Sequence, residues 1–418
     1  MSGKLRMSSL LQSGLIFSAV NFITGLGNLA FQGVMGRHLG DQGQYGNANS
    51  ALGGFMPLLG LLPCVATLAV THYIAHYQAC GDHARLQGLL AGSRKFLFRF
   101  TVVGSLLALA AVKPLSDFFH FSQSLMLVSL GCTLFGLWGS YATVLCQGFG
   151  WFKRLALIGL LGMALRFGFG WFVTIKWPSA ETAVLATGFA LLANLALLCW
   201  RKDLVIRSAP VSPWNREFVL YFVISAACVG GSYCFFQGDL LVAKKYFSGK
   251  DLDAYTAAGQ LARALPMTVG PMLTVLFTSR SSQRAGGIVA EQLKLMGIYA
   301  AGLLAGAAGL FVLRGFCVKL IFGHALPAAE AMIVQLSITM VFVGLLQALA
   351  QWALASRWTR LSLLYGALGI AYWLVLLALG RTPASLLPVM AGATGIALVI
   401  LLAGWLIMMW RHKPVPQS

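Results

Sequence analysis

Apolar residues come along this chain in blocks of about 20, the helix length that crosses a ~30 Å hydrocarbon core. Short stretches rich in Gly, Pro, Lys and Arg separate them. The blocks predict twelve transmembrane helices, near 10–35, 46–75, 94–113, 123–148, 154–175 and 181–200, then near 217–244, 254–279, 294–313, 328–355, 360–380 and 385–409. Several are long enough to require tilt or extension beyond the bilayer. The first block is too long for a cleavable signal peptide and lacks a small-residue cleavage pattern after it, so it is expected to remain as the first span. The clearest polar break follows the sixth block, from Arg201-Lys202-Asp203 through Pro210 and Pro213 to Arg216-Glu217. Two prolines and a charge cluster mark a linker. The expected organisation is an N-terminal six-helix lobe over 1–200, a cytoplasmic linker over 201–216, a C-terminal six-helix lobe over 217–410 and a cytoplasmic tail over 411–418.

Composition sharpens this picture. The 418 residues are 58% hydrophobic and only 10% charged, against about 25% charged in an ordinary globular domain, so a soluble globule of this length is excluded. The net charge of +19 would suggest nucleic acid in a soluble protein. Here most basic residues lie between apolar blocks, where the first explanation is topological, because Lys and Arg collect in cytoplasmic loops. With both termini cytoplasmic, 19 basic residues fall on that side and nine on the other, leaving Arg166 and Arg263 inside spans. No nucleic-acid partner is expected. The eight cysteines show no CxxC or Cys/His spacing and read as small buried hydrophobes, with neither a disulfide framework nor a metal site.

The halves repeat one another. Phe31-Gln32-Gly33 leads through Gly36-Arg37-His38-Leu39-Gly40 to Tyr45 and then Pro57; Asp239-Leu240-Leu241 leads through Lys244 and Phe247-Ser248-Gly249 to Tyr255 and then Pro266. Tyr to Pro is 12 residues in the first half and 11 in the second. The fourth and tenth blocks also end alike, with Gln147-Gly148 before Lys153-Arg154-Leu155 and Gln351-Trp352 before Arg357 and Arg360-Leu361. Internal repeats mark many transporters. An even number of spans per half makes the repeat parallel, about an axis along the membrane normal.

The stretch Gly36-Arg37-His38-Leu39-Gly40-Asp41-Gln42-Gly43-Gln44-Tyr45-Gly46 resembles the R-x-L-G-x-x-x-Y-G signature that follows the first helix of polysaccharide and oligosaccharide-lipid flippases, with four residues in place of three between Gly40 and Tyr45. These flippases form a branch of the multidrug/oligosaccharidyl-lipid/polysaccharide (MOP) exporter superfamily. The resemblance, with the second-half stretch Asp239 to Ala258 as its counterpart, implies a V-shaped, MATE-like bundle of two lobes that alternates between inward- and outward-facing states. It also implies an undecaprenyl-diphosphate oligosaccharide as cargo, moved across a bacterial inner membrane for polysaccharide biosynthesis, with a glycan polymerase or glycosyltransferases as neighbours in the pathway.

Such cargo makes physical sense of the charge. Each uncompensated polar group carried through hydrocarbon costs several kcal/mol, and a cationic, hydrated path lowers that barrier for a diphosphate. No Walker motif or nucleophile–base arrangement is present in the sequence, so no enzyme chemistry and no cofactor is expected, and a Na⁺ or H⁺ gradient is the candidate energy source. Arg166, in the middle of the fifth span, is a candidate bidentate phosphate donor or a structural link to a neighbouring helix. Arg263 has the same two readings. Arg37 either meets substrate or caps the first helix. Lys244 and Lys245 either receive anionic headgroups at the outer mouth or snorkel. Asp239 is a carboxylate inside a span, functional by default: it either couples an ion or pairs structurally with Lys244 or Arg263. Pro57 and Pro266 are candidate hinges. His72 and His76 share a helix face and read as a polar stripe, since a metal would need further ligands. The main alternative function is a Na⁺- or H⁺-coupled multidrug exporter of the same superfamily. A membrane-embedded glycosyltransferase or polymerase would need a long loop with catalytic carboxylates or histidines, and no such loop is present in the sequence.

Overall fold

The computed structural model of the protein describes residues 20, 23–40, 43–199, 216–281, 289–356 and 358–411, and their regular structure is helical throughout. Two compact units divide the chain, Met1–Val223 and Ile224–Ser418. Of the expected linker over 201–216, residues 201–215 lie outside the described residues and Arg216 is the first residue of a helix.

The first unit contains α1 (23–39), α2 (Tyr45–Asn49), a six-residue π turn (Ser50–Phe55), α3 (Met56–Leu59), α4 (Leu61–Cys80), α5 (His83–Ala110), α6 (Val112–Phe119), α7 (Gln123–Gly148), α8 (Phe152–Lys176) and α9 (Ala180–Cys199). The turns between them are short and chemically marked. Gly81 adopts φ 70° and ends α4, after which the Asp82 side chain accepts from the Arg85 N–H and caps α5. Between α5 and α6 the axis bends by 62° at Ala111, just before Pro114, which supplies no N–H to the preceding turn. The hub is α7, which packs against α4, α5, α8 and α9. Just over half of its membrane-length window, 56%, is buried, against 28% for α8.

The second unit takes up most of α10 (Arg216–Phe236) and contains α11 (Gly238–Tyr246), α12 (Gly249–Ser281), α13 (Val289–Phe322), α14 (Pro327–Ala355), α15 (Thr359–Leu379) and α16 (Pro383–Arg411). The start of α10 stays with the first unit, where Phe218 packs on Tyr73 with ring centroids 5.3 Å apart. Here α14 is the hub: it packs against α12, α13, α15 and α16 and is 61% buried, whereas the rim helix α13 is 11% buried. Helices α10 and α15 approach at backbone distance; a Cβ on Gly369 would lie 2.6 Å from the Gly231 Cα, so only glycine fits that crossing. A Cβ on Gly27 would likewise collide with Met163 and one on Gly231 with Tyr365, while one on Gly25, Gly230 or Gly270 would meet nothing within 4 Å.

Seven helices among the described residues are long and apolar enough to cross a membrane, or eight if the bent α5–α6 pair counts as one span. The chain is therefore an all-helical, multi-pass membrane protein. Besides 94–113, whose helix ends at Ala110, two expected spans are interrupted. The stretch 217–244 breaks at Gln237 between α10 and α11, and 46–75 is divided by the π turn and by Gly60. Helix α12 is continuous but carries Lys250, Asp251, Asp253 and Arg263 in its first half.

Candidate functional site

The break between α10 and α11 gathers the most concentrated buried chemistry in the second unit. A helix that stops inside a membrane leaves its last carbonyls without partners. At this break the Phe236 carbonyl accepts from the Arg263 Nε at 2.8 Å, across from α12. The same guanidinium donates through Nη2 to the Asp239 Oδ2 at 2.5 Å, so one side chain caps the end of α10 and neutralises the carboxylate in the first turn of α11. That carboxylate also sits where the positive end of the α11 dipole favours an anion. Tyr255, two turns before Arg263 on α12, donates its hydroxyl to the same Asp239 oxygen. On the other side of the break, Trp373 of α15 donates its indole N–H to the Gly238 carbonyl at 3.0 Å.

All three central groups are sealed: Asp239 and Tyr255 are 0% exposed and Arg263 is 2% exposed. Phe235, Tyr365 and Tyr372 pack alongside, with ring centroids 5.0–5.5 Å from Phe235. A Cβ on Gly259, one turn before Arg263, would lie 2.5 Å from Nη1; the guanidinium folds back into space that this glycine leaves. The Asp239 Oδ1, the Gln237 Oε1, the Arg263 Nη1 and the Tyr372 hydroxyl are buried without a hydrogen-bond partner.

In the first unit Arg166 has different company. From the middle of α8 it donates to the Asn28 Oδ1 at 2.8 Å and lies 4.4 Å above the Phe31 ring, both on α1. A Cβ on Gly170, one turn further along α8, would lie 2.3 Å from the same ring. Arg166 is half-buried, and among the described residues no carboxylate pairs with it. Its guanidinium is held by a neutral amide and an aromatic face, which position a cation without cancelling its charge.

The other candidates lie apart from these two places. Arg37 is exposed in the last turn of α1; Lys244 is buried near the end of α11, and Lys245 lies 5.4 Å over the Tyr246 ring. Pro57 is the second residue of α3, just after the π turn, and Pro266 is buried within the unbroken α12. The side chains of His72 and His76 are outside the described ones. Among the described residues no cluster of three metal-ligating side chains occurs. Sequence reasoning named Arg263 and Asp239 but gave no role to Tyr255, Gly259, Asn28 or Phe31. The signal for Tyr255 was present, since it is the tyrosine repeated at Tyr45.

No protein-family model and no curated protein sequence matches the chain. Solved structures do. An inward-facing multidrug resistance MATE family transporter of the MOP superfamily aligns at a TM-score of 0.67 and 15% identity, over 95% of this chain and 98% of that one. The lipid II flippase MurJ, in an inward closed conformation, aligns at 0.69 and 12% identity, over 93% and 87%. The Vibrio cholerae MATE transporter VcmN, in a point-mutant form, aligns at 0.61 and 13% identity, over 97% and 98%. The fold of this chain is thus the fold shared by these MATE transporters and the lipid II flippase.

Proposed function

We propose that this protein flips an anionic, lipid-linked oligosaccharide of the undecaprenyl-diphosphate class across the bacterial cytoplasmic membrane. It works by alternating access of twelve spans, with both termini cytoplasmic. The observation that carries this reading is the balance of charge inside the units. Asp239 is cancelled by Arg263, whereas Arg166 rests on Asn28 and Phe31 and among the described residues has no carboxylate partner. An unneutralised guanidinium with a planar fork of donors suits phosphate oxygens. A carrier of cationic drugs would need the reverse, a free carboxylate. The likeness of fold to a lipid II flippase supports the reading.

Depleting the protein in its native host tests it. The expected result is accumulation of undecaprenyl-linked oligosaccharide on the cytoplasmic leaflet, loss of surface glycan and recovery on re-expression. The multidrug reading rests on the equally extensive likeness to MATE transporters. New drug sensitivity without accumulation of the lipid-linked glycan would favour it.

A further inference from the structure

The end of a helix inside a membrane presents unpaired carbonyls, and beside a carboxylate such carbonyls make a coordination shell for a small cation. Part of such a shell is present at the α10–α11 break. It comprises the Phe236 carbonyl and the Asp239 carboxylate, with the Tyr255 hydroxyl on the same Asp239 oxygen. One guanidinium occupies it, with Nε on the carbonyl at 2.8 Å and Nη2 on the carboxylate at 2.5 Å. The space it uses is reserved in the sequence of α12 itself, because any side chain at Gly259 would collide with Nη1. The carboxylate and the guanidinium sum to zero charge in a site closed to solvent, the condition under which a buried pair is tolerated.

We propose that Arg263 is a tethered cation. Its guanidinium permanently fills the position that the broken helix offers to a free Na⁺ or K⁺, so this half of the protein holds its fold without binding an ion there. Asp239 is then a structural counter-ion for Arg263, and an ion gradient does not act through it. Two further buried acceptors, the Asp239 Oδ1 and the Gln237 Oε1, have no donor. If the guanidinium is removed or displaced, these oxygens remain with the Phe236 carbonyl and the Asp239 Oδ2 to receive a cation from solution.

The test is thermal unfolding of the purified full-length protein at equal ionic strength in sodium, potassium or choline chloride, and with low concentrations of methylguanidinium. The wild-type midpoint is expected to be the same in all. Arg263→Ala should unfold at a lower temperature in choline and recover by several degrees in Na⁺, K⁺ or methylguanidinium, and adding Asp239→Asn should abolish that recovery. If Arg263→Ala does not yield folded protein, Gly259→Ala, which pushes the guanidinium aside, should acquire the same cation dependence. Failure of both variants to gain cation sensitivity would overturn the proposal. So would stabilisation of the wild type by Na⁺ that disappears in Asp239→Asn. The readout does not involve the cargo, so its failure would leave the flippase reading standing.

Discussion

The two halves of this chain interrupt opposite members of the same helix pair. In the first half the leading helix α1 runs unbroken through its described length, and the following helix is divided by the π turn Ser50–Phe55 and by Gly60. In the second half the leading helix breaks at Gln237, and the following helix α12 is continuous. Each interruption is satisfied by different means. At the π turn the Met56 N–H reaches back five residues to the Ala51 carbonyl, a backbone bond. The α10–α11 break needs a side chain from another helix, and Arg263 supplies it. Tyrosine links the pair in both halves: Tyr45 donates to the Gln32 Oε1 at 3.2 Å, and Tyr255 donates to Asp239. At the distance from Tyr45 where Arg263 stands from Tyr255, the first half has Gly53 and Gly54, inside the π turn. The same order of helix, tyrosine and proline thus has a neutral version and a charged one.

The π turn also accounts for the spacing. Tyr45 to Pro57 is one residue longer than Tyr255 to Pro266, and a π bulge is how a helix absorbs one extra residue without losing its register on either side. Single-residue deletions should therefore separate the halves most sharply. Deleting Gly54 should replace the π turn by regular helix up to the break at Gly60, with the second-half spacing, and leave folded protein at normal membrane levels. Deleting Gln260 turns Arg263 by about 100° around α12, away from Asp239, and should abolish folded protein; size-exclusion profiles of the two deletions report the difference. Asp239→Ala strands a buried guanidinium and should cost about 3–5 kcal/mol, read as a large fall in the unfolding midpoint. Gly259→Ala overpacks the guanidinium and should cost about 1–3 kcal/mol in the same assay. Gln32→Ala, the first-half counterpart, removes one neutral, partly buried hydrogen bond and should cost about 1 kcal/mol. If Gln32→Ala proved as damaging as Asp239→Ala, the distinction between a neutral and a charged half would fail.

Much of this was legible in the residues and some was not. The helical membrane class follows from apolar blocks that no soluble protein could cover, and helices such as Gln123–Gly148 fall where their blocks do. The break at Gln237 was hidden because no proline marks it; what stabilises it lies 16 or more residues away on α12 and α15. A carboxylate inside a span signalled a partner, and the choice between Lys244 and Arg263 depended on which helix packs beside the break. Arg166 stood out by its charge, but Asn28, 138 positions distant, is an ordinary polar residue until the fold brings α1 against α8. Pro57 and Pro266 look equivalent in the sequence, yet one follows a π turn and the other lies in a continuous helix, because a single inserted residue changes the backbone without changing the composition.

The most direct test of an anionic cargo met by an unneutralised guanidinium is translocation of a lipid-linked diphosphate oligosaccharide in proteoliposomes by wild type and by Arg166→Gln, with equal amounts of folded protein. Loss of one charge-assisted phosphate contact of roughly 1.5–3 kcal/mol should slow translocation at least about tenfold, at about 1.4 kcal/mol per factor of ten. Translocation at the wild-type rate by Arg166→Gln would contradict the assignment of that guanidinium to the diphosphate.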